Sequence, residues 1–153
     1  MGMYGLDGKI AIVTGAGRHG GLGKAMAKRL GDEGCSIVLA DLGRTEGDLF
    51  PTHGVGTTAE MEEVAEEIRA TGAEAMTVAC DVRDEASVAK GIAQTVEAFG
   101  SLTTVFANAG INGMQCPIEE MTLDEWRATI DPNLVPRCIE HHHRVGFLGN
   151  PSR

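Results

Sequence analysis

Four short runs of apolar and β-branched residues recur along the chain, and each is followed by a glycine or a polar residue. They cover residues 9–14, 36–40, 75–80 and 103–107. The apolar character within each run is continuous rather than alternating, as in strands that are buried on both faces of a sheet. We therefore predict four buried strands.

Segments with a helical period of apolar residues separate the runs and follow the last one. The apolar stripes of the four predicted helices are Leu22, Met26 and Leu30; Met61, Val64, Ala65 and Ile68; Val88, Ile92, Val96 and Phe99; and Trp126 and Ile130. A glycine stands just beyond each of the first three stripes, where helices commonly end.

Capping signals mark the start of three of these helices. Thr57 and Thr122 are each followed, three residues later, by a glutamate, which is the spacing of a capping box. Asp84 is placed to cap the helix that carries Val88. Residues 42–57, between the second strand and the second helix, hold four glycines, one proline and no periodicity, so we predict a long loop there.

The alternation of strands and helices predicts an α/β fold with a doubly wound parallel sheet, because a helix in each crossover returns the chain to the same end of the sheet. Sheets of this kind bind ligands beyond the carboxyl ends of their strands. Those ends hold Gly15, Asp41, Asp81 and Asn108. This concentration of polar and glycine residues is the main functional signal in the sequence.

Composition and charge indicate which binding partners, location and metal sites to expect. The net charge is −9 and the 13 lysines and arginines form no cluster, so we expect binding neither to nucleic acid nor to membrane. No apolar run approaches the length of a membrane span and the first residues lack a signal-peptide pattern, so we expect a cytoplasmic protein. The four cysteines form no CxxC pair, and the three adjacent histidines at 141–143 do not share a helix face, so we expect no metal site.

The segment between the first strand and the first helix is rich in glycine. It reads Thr14-Gly15-Ala16-Gly17-Arg18-His19-Gly20-Gly21-Leu22-Gly23. A helix N-terminus offers unpaired N–H groups and the positive end of the helix dipole, and glycines let the backbone approach a pyrophosphate. Together with an acid at the end of the next strand, this segment predicts a dinucleotide site. The alternative is a turn with a purely structural role.

Asp41 is that acid, and it lies 26 residues after Gly15. A carboxylate there accepts hydrogen bonds from the adenosine ribose hydroxyls and repels a 2′-phosphate, so it favours NAD over NADP. Arg18 and Arg44 are close enough in sequence to reach a phosphate, which argues in the other direction. Asp41 also has a structural alternative as a solvated loop acid.

In these motifs the chain resembles the short-chain dehydrogenase/reductase family over residues 7–134. The resemblance rests on an ordered set of positions: Thr14-Gly15 with Gly21 and Gly23, Asp41, Asp81-Val82, Asn108-Ala109-Gly110, and Trp126 followed by Asn133-Leu134. It implies a Rossmann-like fold, here truncated after about four strands, with residues 1–134 as the NAD-binding domain and 135–153 as an irregular tail. It also implies a small-molecule alcohol or carbonyl substrate and, for the whole protein, a homo-oligomer.

The resemblance implies roles for individual residues. The Thr-Gly turn wraps the pyrophosphate, Asp81 and Val82 lie by the adenine ring, and Asn108 and Gly110 border the cofactor. The residues predicted to bind cofactor are Thr14, Gly15, Gly17, Arg18, Gly21, Leu22, Gly23, Asp41, Asp81, Val82, Asn108, Ala109 and Gly110. Asn133 matches the asparagine of the catalytic site that helps to hold a proton-relay water, and the alternative for it is a helix-interior asparagine bonded to backbone.

Two features depart from the family pattern. Gly21 and Gly23 lie six and eight positions after Gly15, against four and six in the commonest turn, and this longer spacing is similar to the divergent enoyl-reductase-like branch. Pro132 stands inside the expected fourth helix, where it removes an N–H and can kink the axis. We expect an altered turn with cofactor binding retained.

The chemistry of the family needs a serine, a tyrosine and a lysine four residues after the tyrosine. The single tyrosine is Tyr4, before the first strand, and no lysine occurs after Lys90. The segment after Leu134 has no strand pattern, so we expect a frameshifted or truncated reading frame, with an expression scar as the lesser alternative. We expect the 153 residues to be inactive, marginally stable and prone to aggregation, because the fourth strand becomes a sheet edge.

Three functions follow from these patterns. They are an NAD-dependent oxidoreductase of the short-chain type, a non-catalytic nucleotide-binding module or non-functional remnant, and a Rossmann-like methyltransferase. The methyltransferase is disfavoured because Thr14 stands where such enzymes usually carry an acid, and because Asn108-Ala109-Gly110 has no role in them.

Overall fold

A computed structural model describes residues 4–44, 55–112 and 116–134. In these ranges strands and helices alternate as predicted. The strands are β1 (Ile10–Thr14), β2 (Ser36–Asp41), β3 (Ala75–Ala79) and β4 (Thr104–Phe106). The helices are α1 (Leu22–Asp32), α2 (Thr58–Arg69), α3 (Glu85–Phe99) and α4 (123–134), with a 3-10 turn at Ile118–Glu120 before α4. Within these ranges no helix combines the length and apolar character that a membrane crossing requires.

Some predicted features lie outside the described residues. They are the centre of the 42–57 loop and the whole 135–153 tail, with its cysteine and its three histidines. The domain boundary at residue 134 therefore stays a prediction.

The strands form one parallel sheet in the order β3-β2-β1-β4, which confirms the predicted sheet type. In its register, Ile12 of β1 lies between Val38 of β2 and Val105 of β4. Among the described strands β3 and β4 are the edges. Because all four strands run the same way, the residues that follow them lie together at one end of the sheet.

Two apolar layers cover the sheet, one on each face. Alternate residues of a strand point into opposite layers. Ala11 and Val13 therefore pack with α1 and α2, whereas Ile10 and Ile12 pack with α3. This burial on both faces is the reason that the strands form continuous apolar runs in the sequence.

The face on which α1 packs differs from the predicted stripe. Its buried residues are spaced four apart and are Gly23, Ala27 and Gly31. Met26 and Leu30 are partly buried at the border of the core, but Leu22 is 72% exposed. Small residues let the helix backbone approach the sheet closely, which turns Leu22 away from the core. The prediction that Leu22 belongs to the packed stripe was wrong.

The capping signals placed the helix starts correctly. Thr57 Oγ1 accepts a hydrogen bond from Glu60 N at 3.1 Å at the start of α2, and the side chain of Asp84 caps α3. Before α4 the capping box is reciprocal, because Thr122 N donates to Glu125 Oε2 at 2.7 Å and Glu125 N donates to Thr122 Oγ1 at 3.2 Å.

Helix α4 runs through Pro132, which is buried. Proline has no N–H and cannot donate the usual helical hydrogen bond to the residue four positions earlier. The side chain of Asn133 adds a hydrogen bond to this part of the helix, since its Nδ2 donates to the carbonyl of Thr129, four positions earlier, at 2.7 Å. The helix therefore continues past the proline with side-chain support.

Candidate functional site

A cleft of about 650 Å³ opens where the carboxyl ends of the strands meet the start of α1. Most of the predicted site residues line it: Gly15, Arg18, Gly21, Leu22, Gly23, Asp41, Asp81, Val82, Asn108, Ala109, Gly110 and Asn133. They come from segments that follow each of the four strands and from α4. The fold thus gathers into one concavity residues that are distant in the sequence.

The glycine turn ends at Gly21, which caps α1 without a side chain. Its φ of 150° is a conformation that favours glycine. The first turn of α1 has no acidic residue, and no side chain in the described ranges caps it. A Cβ added at Gly20 or Gly21 would meet no atom within 4 Å. The positive end of the helix dipole therefore faces the cleft with room for an anion of the size of a pyrophosphate.

Gly23, in the first turn of α1, sets how closely the helix approaches β1. A Cβ at this position would lie 2.8 Å from both Ala16 Cα and Asn108 Nδ2, and it would also collide with the carbonyl oxygen of Gly15. A side chain of any size would push the helix away. The close approach brings the first amide groups of α1 beside the end of β1.

Asp41, the last residue of β2, holds its carboxylate beside the glycine turn. Oδ2 accepts a hydrogen bond from Gly17 N at 2.9 Å, and Oδ1 accepts one from Leu42 N at 2.8 Å. Burial raises the pKa of the Asp41 carboxyl, and the two backbone hydrogen bonds and the charge of Arg18 only reduce that shift. Each oxygen has a second lone pair, so the carboxylate can also accept from hydroxyl groups of a ligand.

Asp81 follows β3 and is held by Arg83. The guanidinium donates from Nε to Oδ1 at 2.9 Å and from Nη2 to Oδ2 at 2.7 Å, and the backbone N–H of Arg83 donates to Oδ1 at 3.0 Å. Arg44 Nη2 lies 3.9 Å from the same Oδ2. The hydrogen bonds from Arg83 lower the pKa of Asp81, so this group is a carboxylate in a fixed orientation.

Thr14 joins the end of β1 to the segment after β4. Its Oγ1 accepts from Asn108 N at 3.2 Å and from Ala109 N at 3.1 Å, and it donates to the carbonyl of Phe106 at 3.4 Å. In return, Asn108 Nδ2 donates to the carbonyl of Thr14 at 2.9 Å. These bonds hold Asn108 and Ala109, which line the cleft, against the end of β1.

Asn133 joins α4 to the same segment. Its Oδ1 accepts from Ile111 N at 3.1 Å and its Nδ2 donates to the carbonyl of Ile111 at 2.8 Å. A Cβ at Gly110 would collide with Asn133 Oδ1. With the bond to Thr129, both amide hydrogens of Asn133 are engaged with backbone, as the structural alternative for this residue predicts. Its part in a proton relay stays a prediction.

Two predicted site residues, Thr14 and Gly17, do not line the cleft. Both are buried beneath its surface. Thr14 holds Asn108, and Gly17 holds Asp41 through its N–H. The structure therefore places them as supports of lining residues.

Other lining residues were not predicted, among them Arg83, Leu42 and Val55. Arg83 stands two positions after a strand-end acid, and that spacing alone could have indicated the ion pair. Val55 had no such signal, because a loop pattern does not say where the chain returns. In the structure a bridge between Gly43 and Thr57 brings the end of the loop back beside the end of β2.

The only tyrosine of the sequence stands away from the cleft. Tyr4 is 64% exposed, and the guanidinium carbon of Arg29 lies 5.8 Å from its ring centroid. The cleft formed by residues 15–133 of the described chain thus has no phenol to serve as a general acid or base.

Comparison with protein families matches residues 9–139 to the family described as short chain dehydrogenase. A short-chain dehydrogenase/reductase of Hericium erinaceus is 37% identical over 147 residues, which are 94% of this chain and 53% of the relative. The (−)-trans-carveol dehydrogenase of Rhodococcus erythropolis is 32% identical over 131 residues, which are 85% of this chain and 46% of the relative. The chain spans about half the length of the curated relatives it matches.

Solved structures show the same arrangement of strands and helices. Carveol dehydrogenase from Mycobacterium avium in complex with NAD is similar with a TM-score of 0.80 and 27% identity, over 93% of this chain and 50% of that protein. A short chain dehydrogenase from Mycobacterium paratuberculosis bound to NAD has a TM-score of 0.82 and 25% identity, over 94% of this chain and 51% of that protein.

Proposed function

The chain belongs to the short-chain dehydrogenase family, and from that premise we propose that it forms the cofactor-binding half of an NAD-dependent oxidoreductase acting on an alcohol or a carbonyl compound. One observation carries the proposal: an uncapped helix start and a partly buried carboxylate meet at one cleft. The start of α1 offers amide donors, and Asp41 offers acceptors beside them. A dinucleotide presents the matching groups, a diphosphate and an adjoining ribose with two hydroxyls.

The strand order supports one direction for the cofactor along the cleft. If the diphosphate lies over the start of α1 and the ribose at Asp41, the adenine lies outward, over the ends of β2 and β3. The nicotinamide half then extends in the opposite direction, toward β4, where Asn108 and Gly110 line the cleft. Asp81 and Val82 are accordingly proposed as the adenine end of the site.

Asp41 is the reason to propose NAD rather than NADP. Its hydrogen bonds to Gly17 N and Leu42 N keep the carboxylate in place, where it would repel a 2′-phosphate. Arg18 also lines the cleft and attracts anions. Its positive charge, however, acts on the Asp41 carboxylate and stabilises the charged form of that group. The NAD found in the two similar structures supports this choice.

The reaction needs more than the cofactor site. NAD, when bound, supplies the hydride chemistry, and the residues of this chain bind and orient it. A general acid or base within hydrogen-bonding distance of the substrate is also required. The 153 residues carry one tyrosine, which is off the cleft, and no lysine after Lys90. We therefore propose that a polypeptide of these residues alone binds NAD without catalysing turnover.

A second candidate is a nucleotide-binding module that has no catalytic role in any longer protein. The exposed position of Tyr4 favours it, because no described residue of the cleft replaces a tyrosine. The two candidates agree on binding and differ on activity in a chain that spans the full length of the curated relatives.

Isothermal titration of the 153-residue chain with NADH, NADPH and S-adenosylmethionine tests the proposal. We expect a Kd in the range of about 1–100 μM for NADH, weaker binding of NADPH and no heat from S-adenosylmethionine. Circular dichroism on the same sample establishes that it is folded. A folded chain that does not bind NADH would overturn the proposal. NADH formation from a panel of secondary alcohols would overturn the part that denies turnover.

A further inference from the structure

His19, in the middle of the glycine turn, joins that turn to helix α2. Its backbone N–H donates to Glu60 Oε1 at 2.8 Å, and its ring Nε2 lies 2.6 Å from Glu63 Oε2. The other ring nitrogen, Nδ1, lies 3.5 Å from Glu67 Oε1. One residue of the turn therefore meets three carboxylates of the helix that follows β2.

The turn gains from such an anchor because it is long. Gly21, which caps α1, lies six positions after Gly15, and a longer segment loses more conformational entropy when it is ordered. Before His19 the turn is held at Gly17, whose N–H donates to the carboxylate at the end of β2 at 2.9 Å. After it, a Cβ at Gly20 would meet no atom within 4 Å. His19 therefore anchors the part of the turn between its two ends.

Carboxylates predominate among the charged groups around the imidazole ring. On α2, α1 and the turn itself, these groups are Glu60, Glu63, Glu67, Lys24 and Arg18. Lys24 Nζ donates to Glu67 Oε1 at 2.8 Å, and this hydrogen bond lowers the pKa of Glu67, with a smaller contribution from His19. Glu67 is therefore shared between the turn and α1, whereas Glu63 makes the shorter contact with the ring.

The strength of the contact between His19 and α2 depends on protonation. An imidazolium donates from both ring nitrogens and carries a positive charge, whereas a neutral imidazole donates from only one. Protonated His19 can therefore donate to Glu63 and attract Glu67 at the same time. Histidine ordinarily changes its charge between about pH 5 and 8. The contact should accordingly be strongest at the acid end of this range.

We propose that His19 is a positioning residue, which holds the glycine turn against α2, most strongly when its ring is protonated, and so keeps the start of α1 ordered for the diphosphate of a cofactor. This inference rests on the proposed function, since it concerns the same cleft. The residues that line the cleft do not include His19, so it acts through the turn rather than on the ligand. A turn that is ordered before binding lowers the entropy that the cofactor must overcome.

The alternative is that His19 acts as a cation that attracts the diphosphate directly. The two roles predict opposite effects of Glu63→Gln. If His19 positions the turn, loss of the Glu63 carboxylate loosens the turn and weakens binding. If His19 attracts the diphosphate, loss of that carboxylate releases the cation and strengthens binding.

Titration calorimetry of the 153-residue chain with NADH at about pH 6 tests the proposal. We expect His19→Gln and Glu63→Gln each to raise the Kd about threefold, as for an exposed ion pair within a small network. The double variant should bind no more weakly than either single variant, because both residues act through one contact. The matched control is Glu66→Gln, which removes a carboxylate of α2 that pairs with Arg69 and should keep the Kd of the parent chain.

The pH profile supplies a readout that a purely structural role would not move. The Kd of His19→Gln divided by that of the parent chain should fall from about threefold near pH 6 toward one at about pH 8.5, where an ordinary histidine is neutral. Titration of Asp41 affects both proteins alike and cancels in this ratio. His19→Lys keeps a positive charge over the whole range, so its Kd relative to that of His19→Gln should not change with pH.

The outcomes separate this inference from the proposed function. The side chains of His19 and Glu63 are 47% and 65% exposed, so both substitutions should leave the fold intact, which circular dichroism checks. No binding of NADH by a folded parent chain would overturn the proposed function and this inference with it. A Kd for NADH that is unchanged in both single variants, or that falls in Glu63→Gln, would overturn the inference alone. A ratio that does not change with pH would overturn the part that concerns protonation.

Discussion

The carboxylate of Asp41 and the backbone N–H of Gly17 are joined by a 2.9 Å hydrogen bond, which ties the end of β2 to the turn that follows β1. The two residues are also packed together, because a Cβ at Gly17 would lie 2.7 Å from Asp41 Cβ and 2.5 Å from Met61 Cγ. The turn proposed to face a diphosphate and the acid proposed to face a ribose are thus joined by a hydrogen bond and by direct packing. A change at either residue should alter both halves of the cofactor site.

Replacing Asp41 with asparagine should reverse the cofactor preference. The amide keeps a similar shape, but it is a weaker acceptor for ribose hydroxyls and does not repel a 2′-phosphate. We expect the Kd for NADH to rise about tenfold and the Kd for NADPH to fall, as measured by titration calorimetry. Asp84→Asn is the matched control, because it changes the net charge equally at a helix cap off the cleft, where asparagine also caps well. Equal effects of the two substitutions would contradict the assignment of Asp41.

The preference for NADH over NADPH should depend on pH. Burial raises the pKa of Asp41 in the folded chain, so this carboxyl takes up its proton at a higher pH than an ordinary aspartate. Above that pKa the charge repels the 2′-phosphate and the preference is full; as the pH falls through it, the preference should shrink. The 2′-phosphate also takes up a proton near pH 6, so Asp41→Asn is titrated in parallel to measure that part alone. Identical pH profiles for the parent chain and the variant would refute this prediction.

The hydroxyl of Thr14 should stabilise the fold through the two N–H groups it accepts from. Thr14→Val keeps the shape but leaves Asn108 N and Ala109 N without this acceptor in a partly buried region. We expect a loss of about 2 kcal/mol in the free energy of unfolding, measured by urea denaturation. Thr14→Ser retains the oxygen and should cost less than half as much. A valine variant as stable as the serine variant would show that these hydrogen bonds contribute little.

Two glycines of the glycine-rich segment, one before α1 and one in its first turn, should respond very differently to alanine. At Gly23 the added methyl would collide with the backbone of Gly15 and Ala16, so Gly23→Ala should lower the free energy of unfolding by about 3 kcal/mol and weaken NADH binding. At Gly20 the methyl meets no atom within 4 Å, so Gly20→Ala should leave stability within about 0.5 kcal/mol of the parent chain. Thermal unfolding of the two variants side by side measures the difference.

The order and type of the elements could be predicted from the sequence because each signal was local. The caps at Thr57, Asp84 and Thr122 act within one helical turn, and burial on both faces of the sheet gives continuous apolar runs. Periodicity says that a strand is buried but not which strand lies beside it, so the neighbours of β1 had to come from the structure. For the same reason the sequence did not predict that Val55 lines the cleft, because its position depends on a bridge that closes a long loop.

Two features of the glycine-rich segment could not be predicted from the sequence pattern. Leu22 was assigned to a packed stripe because large apolar residues usually fill a core, but here glycine and alanine make the closest contact with the sheet. Thr14 and Gly17 are predicted to bind cofactor because they belong to the motif; in the structure they support Asn108 and Asp41 from below, and their contact with a cofactor stays a prediction. A motif identifies which residues a site requires, and it does not separate those that touch a ligand from those that hold the ones that do.

The central position of β1 has a consequence for how the chain is made. Its partner on one side is β2, which follows closely, but its partner on the other side is β4, and Ala11 pairs with Thr104. As the polypeptide leaves the ribosome, one edge of β1 has no partner strand until residues 104–106 emerge. Pairings of such long sequence separation form slowly. We therefore expect the contacts between Thr14 and Asn108 to be among the last to form, and the proposed nucleotide site to stay incomplete in a nascent chain until then.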